Sequence, residues 1–166
     1  MIKYILLFCF TVFISCNGNI KELQVVEKQK EIELPGIRLM NLEGAPVNME
    51  QYKGKTVFIN FWATWCKPCL DEMPSIQIAI NKLKKENIVF LLVSDETAEQ
   101  IEQFKSNHNY NFNYLRTESM EELNITGLPT TMIFNASGKQ VFSEMGFKKW
   151  DNEESINLLL EIINTK

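Results

Sequence analysis

Cys66 and Cys69, separated by two residues, are the side chains best suited to do chemistry in this 166-residue chain. Two thiols at that spacing can close a disulfide on themselves. The first becomes a nucleophile towards other disulfides if it ionises near neutral pH. A helix start would supply that condition, because its free N–H groups and dipole favour an anion. Lowering a thiol pKa from about 8.5 to about 7 takes about 2 kcal/mol. A partly buried helix end supplies up to about 2 kcal/mol, whereas an exposed lysine such as Lys67 supplies less than about 1 kcal/mol. The helix end should dominate, with Lys67 adjusting it. Pro68 suits a first helical turn, where its missing N–H costs nothing.

The remaining composition narrows the chemistry. The chain has four cysteines and one histidine, His108, so a zinc site built on the Cys66/Cys69 pair lacks further ligands. No metal is expected. A net charge of −4 without a basic block excludes nucleic acid as a natural partner. Asp71 and Glu72 lack any sugar-site context and are no glycosidase signal. His108 reads as a solvated loop residue, and Lys148-Lys149-Trp150 as a solvated loop.

The N-terminus reads as an address. Lys3 precedes the apolar run Tyr4–Ile14, which is too short to span a bilayer and matches the core of an export signal. Composition turns polar after Cys16. Phe13-Ile14-Ser15-Cys16 resembles a bacterial lipobox. That resemblance implies a lipoprotein signal peptide over 1–15, lipidation of Cys16, a polar tether over 16–30 and a domain over 31–166, anchored in the cell envelope. Cleavage near Gly18, giving a secreted protein, and an uncleaved anchor remain open alternatives. With Cys9 in the signal and Cys16 at its end, only Cys66 and Cys69 remain. An exported chain with one close pair uses it for chemistry rather than for stapling.

The positioning elements follow from the pattern. Residues 31–40 alternate weakly, as short strands do. Thr56–Trp62 and Ile88–Val93 are continuous apolar runs, expected for strands buried on both faces. Between them Ile76, Ile78, Ala79, Ile80 and Leu83 suit a helix. Glu96–Asn107 reads as an exposed helix with Ile101 and Phe104 inward, and a short strand is expected around Phe112–Leu115. Thr130–Phe134 and Gln140–Ser143, joined by Asn135–Lys139, read as an antiparallel hairpin. Ser155–Ile163 closes the chain as a helix. Such an order gives an α/β layer architecture, a mixed sheet flanked by helices.

The run Asn60-Phe61-Trp62-Ala63-Thr64-Trp65-Cys66-Lys67-Pro68-Cys69 resembles the active site of thioredoxin-like proteins, and specifically their exported, membrane-anchored TlpA/ResA branch. The likeness extends over about residues 33–163, with Leu42–Val47 and Tyr52–Lys55 matching that branch's N-terminal β-hairpin extension and Gly127–Thr131 its proline loop. It implies a thioredoxin-like fold and a thiol–disulfide oxidoreductase with no cofactor beyond the redox-active Cys66/Cys69 disulfide. Cys66 would be the exposed nucleophile and Cys69 the resolving thiol. Pro129 would be a cis proline beside them, with Leu128 offering backbone groups to an extended substrate and Trp65 a surface contact. Glu72 matches an acid that this branch places near the cysteines, and Asn60 stands where cytosolic thioredoxins carry an acid. Protein disulfides, apocytochrome c among them, would be the substrates, and a membrane dithiol the electron donor. A peroxiredoxin-like peroxide reductase and a non-catalytic binding module are the alternatives.

Overall fold

The structure, a computed structural model, describes residues 32–165. The expected signal peptide, the tether and Cys16 lie outside the described residues. Five strands form one mixed sheet in the order β3-β2-β1-β4-β5. They are β1 (Thr56–Phe61), β2 (Ile88–Ser94), β3 (Asn113–Arg116), β4 (Thr130–Phe134) and β5 (Gln140–Met145). Three α-helices accompany them: α1 (Lys67–Lys82), α2 (Ala98–Asn107) and α3 (Glu153–Asn164).

Every residue of β1 is buried, as its unbroken apolar run requires. It lies parallel to β2 and antiparallel to β4, with Phe61 opposite both Val93 and Thr130. That register brings the C-terminal end of β1 and the N-terminal end of β4 to one edge of the molecule, where the chain enters Trp62–Cys69. The hairpin between β4 and β5 turns at Gly138, whose φ of 84° is open to a residue without Cβ.

The two faces of the sheet are covered differently. Phe58, Leu92 and Ile133 face a cluster that takes in Met73, Ile76 and Ala79 of α1, Ile101 and Phe104 of α2 and Leu159 of α3. Val57, Ile59 and Phe61 face the other cluster, closed by Leu34, Ile37, Leu39 and Met49 before β1 and by Met120, Leu123 and Ile125 before β4. Ile78, one of the apolar residues that suit α1, is exposed.

Residues 32–40 form no strand. Pro35 starts a 3-10 turn over Leu34–Gly36, and pairing is limited to single bridges at Glu33 and Met40. Around the expected N-terminal hairpin the chain reverses at Asn41–Ala45, and the Val47 N–H donates to the Leu39 carbonyl at 2.8 Å. The helix expected from Glu96 begins later: Thr97 caps α2 in a reciprocal box with Gln100. Glu96 is buried rather than exposed.

Candidate active site

The helix following β1 begins at the first cysteine. Cys66, with φ −83° and ψ 92°, is the N-cap of α1, and its Sγ accepts the Cys69 backbone N–H at 3.3 Å. A sulfur therefore occupies the position where serine or aspartate oxygens satisfy free helix N–H groups. Pro68 falls in the first turn, as expected. Cys66 and Cys69 are joined as a disulfide with Cα atoms 5.3 Å apart. Neither sulfur residue is widely open: Cys66 keeps 4% of its surface and Cys69 1%. The expectation of an exposed Cys66 is thus corrected, because the bond to Cys69 and the Ala63 turn beneath it enclose its side chain. The Cys66 N–H donates to the Ala63 carbonyl at 3.1 Å. Trp65 beside it is 74% exposed, whereas Trp62 is fully enclosed.

Lys67 leans away from the sulfur. Its ammonium pairs with Asp71 at 2.7 Å, one turn along the exposed face of α1. The backbone N–H of Cys69 is the donor that the structure sets against the Cys66 sulfur.

The Leu128–Pro129 peptide is cis. It immediately precedes Thr130, which pairs with the last residue of β1, so the proline loop stands at the same end of the sheet as Trp62–Cys69. The Pro129 carbonyl accepts the Gly146 N–H at 2.7 Å. This bond draws Met145 and Phe147, both exposed, up to that loop. The sequence reading passed over these two apolar side chains.

Glu72 lies one turn beyond Cys69 and is wholly buried, not an exposed first-turn acid. One oxygen, Oε1, accepts the indole N–H of Trp150. The other, Oε2, is enclosed with no partner. Burial pushes this carboxyl up to about 7, against the pull of the Trp150 indole and, less strongly, of the Asn60 amide and the Lys148 backbone N–H, neither of which reaches hydrogen-bond geometry, while the nearby Glu144 charge adds to the rise. Asn60 is itself buried on β1 and donates to Thr131 Oγ1 at 3.0 Å.

Two further residues at the site are not marked by the sequence pattern. Trp150, placed in a solvated loop with Lys148 and Lys149, is fully enclosed. Its own apolar bulk was the signal, overridden by the flanking lysines. Glu96 holds Thr64, two residues before Cys66, by its backbone N–H and its hydroxyl. No local pattern marks that pairing, since the partners are 32 positions apart.

Strand, helix-capping cysteine pair and cis proline together define a thioredoxin-fold thiol–disulfide oxidoreductase. Among known families the AhpC/TSA family profile matches residues 25–141, and the chain belongs to that family. The thiol-disulfide oxidoreductase ResA of Bacillus thuringiensis is 33% identical over 121 residues, covering 69% of this chain and 70% of that protein. The exposed lipoprotein thioredoxin of Streptococcus pneumoniae superposes with a TM-score of 0.62 at 26% identity, covering 75% of this chain and 97% of that one. A thiol:disulfide interchange protein of Chlorobium tepidum shares the fold, with a TM-score of 0.64 at 22% identity over 79% of this chain and 97% of that one.

Proposed function

We propose that this oxidoreductase works as a disulfide reductase on exported proteins, held at a bacterial membrane through lipid on Cys16. The observation that carries the chemistry is the Cys66 sulfur capping α1 and receiving the Cys69 N–H at 3.3 Å. After reduction that N–H and the helix dipole stabilise a thiolate at Cys66.

The exchange balances as follows. The Cys66 thiolate attacks a substrate disulfide; the substrate S–S bond breaks, a mixed disulfide forms on Cys66, and the released substrate thiolate takes a proton from solvent. Cys69 gives its proton to the Glu72 carboxylate and attacks the Cys66 sulfur. The Cys66–Cys69 bond forms as the mixed disulfide breaks, and the second substrate sulfur leaves as a thiolate that takes a proton from solvent, so two electrons have passed to the substrate. A membrane dithiol donor returns two electrons by the reverse exchange. No other cofactor is needed.

Trp65 and the Leu128–Pro129 loop supply the docking contacts, Leu128 through its backbone to an extended segment. The exposure of Trp65, Met145 and Phe147 at that end of the sheet supports a polypeptide substrate. Substrates are exported proteins with incorrect disulfides, including apocytochrome c awaiting its haem. The apolar run ending at Ser15-Cys16 supports export and anchoring.

The reduction potential of the Cys66/Cys69 couple tests the direction. A value near thioredoxin's, about −270 mV, is expected; one near about −120 mV would make the protein an oxidant and overturn the reading. Anchoring is tested separately: Cys16→Ala should abolish fatty-acid labelling in cells.

A further inference from the structure

The indole over Glu72 does more than fill space. Trp150 packs edge-on against Phe58, with ring centroids 4.7 Å apart, and lies 5.9 Å from Phe142. Its backbone N–H donates to Ser75 Oγ at 3.0 Å, and the Ser75 hydroxyl donates to the Glu72 carbonyl at 2.8 Å. Ser75 thereby ties the tryptophan to the helical turn that carries the carboxyl. Phenylalanine would satisfy the packing alone. The indole N–H needs an acceptor when buried, and here that acceptor is Glu72 Oε1.

This bond makes the two carboxyl oxygens unequal. An indole nitrogen donates and cannot accept, so a proton arriving at Glu72 goes to the unpartnered Oε2. Cys69 and Glu72 stand three residues apart on α1, a spacing that places two side chains on one helix face.

We propose that Trp150 is a positioning residue for the exchange: it clamps Glu72 by Oε1 and leaves Oε2 as the oxygen that takes the proton from Cys69 and returns it on resetting. The inference rests on the reading of Glu72 as proton carrier. In the step, the carboxylate gains the thiol proton and becomes a neutral acid, and Cys69 becomes the attacking thiolate. The charged group that acts on this carboxyl is Glu144 of β5, itself paired with Lys148 at 3.3 Å, and the Cys66/Cys69 pair opens the same helix. The carboxyl's neighbour on β1, Asn60, carries no charge.

The test uses the full chain with Trp150→Phe. The pH dependence of glutathione-disulfide reduction and the carbon NMR titration of the Glu72 carboxyl should both move upward by about one pH unit, because a hydrogen bond that favours the charged form is lost. Exchange at neutral pH should fall by up to about tenfold. A purely structural tryptophan would lower the melting temperature and leave both midpoints in place, which would overturn the inference. Should Trp150→Phe fail to fold, the wild-type indole N–H resonance serves instead. It should shift with the Glu72 midpoint and lose that shift in Glu72→Gln, and a resonance indifferent to pH would overturn the inference. Wild-type protein that reduced no disulfide at any pH would defeat the reductase reading, while the NMR titrations would still report on the clamp.

Discussion

Glu96 accepts two hydrogen bonds from Thr64, the backbone N–H on one carboxylate oxygen and the hydroxyl on the other, both at 2.6 Å. Glu96 follows β2, and Thr64 follows β1, so the pair bridges two neighbouring strand ends just ahead of the cysteines. Arg116 at the end of β3 donates to the Glu96 carbonyl at 2.8 Å, joining the third strand of the parallel half-sheet. The turn that aims Trp65 and Cys66 is therefore fixed by a carboxylate from another part of the chain.

Removing that carboxylate should loosen the turn. Glu96→Ala forfeits three bonds to the carboxylate, the two from Thr64 and one from the Ser94 hydroxyl at 3.2 Å, and strands an N–H, at a cost of about 3 kcal/mol. For a domain of this size the melting temperature should drop by about 10 °C. Thr64→Val loses only the hydroxyl bond and should cost about 1.5 kcal/mol. Both variants should also reduce insulin disulfides more slowly, Glu96→Ala the more so. Melts and rates indistinguishable from wild type in Glu96→Ala would show the clamp to be idle.

Lys67 should matter little to the reactivity of Cys66. Its ammonium is held by Asp71 on an exposed helix face, and exposed pairs contribute less than about 1 kcal/mol. Lys67→Ala should therefore change the alkylation rate of reduced Cys66 at neutral pH by less than about fivefold. A loss well beyond that would mean that the lysine, not the helix end, governs the thiolate.

Much of this was legible in the sequence. The runs Thr56–Trp62 and Ile88–Val93 are apolar but for Thr56 and Asn60, and both form inner strands of the sheet. The Cys-x-x-Cys spacing and the Leu128-Pro129 loop are short-range patterns, and the two stand at one end of the sheet. What stayed hidden depends on partners distant along the chain. Alternation over residues 31–40 suggested pairing, yet Pro35 turns the segment and its apolar side chains cap a sheet face instead. An acid near the start of a helix is usually solvated. Glu72 is buried because Trp150, 78 positions later, closes over it. The lysines before Trp150 made that segment look solvated, while its indole was the enclosed element.

Burial of Glu72 also predicts how stability depends on pH. Its folded-state pKa of about 7 exceeds the unfolded value of 4.5. Between those values the native state holds more protons than the unfolded chain, so stability falls as pH rises. The contribution is fully present below pH 4.5 and is lost by the time pH has passed through about 7. The span corresponds to about 3 kcal/mol. Glu72→Gln keeps the shape and an acceptor for the Trp150 indole but cannot ionise. Its stability, measured by urea unfolding of the oxidised protein, should vary less between pH 5 and pH 8 than wild type by about 2.5 kcal/mol, the share of the span that this window covers. The variant should be the more stable of the two at the alkaline end, where wild type must bury a carboxylate. Parallel stability curves for the two proteins would mean that Glu72 meets water in the native state and does not titrate as a buried acid.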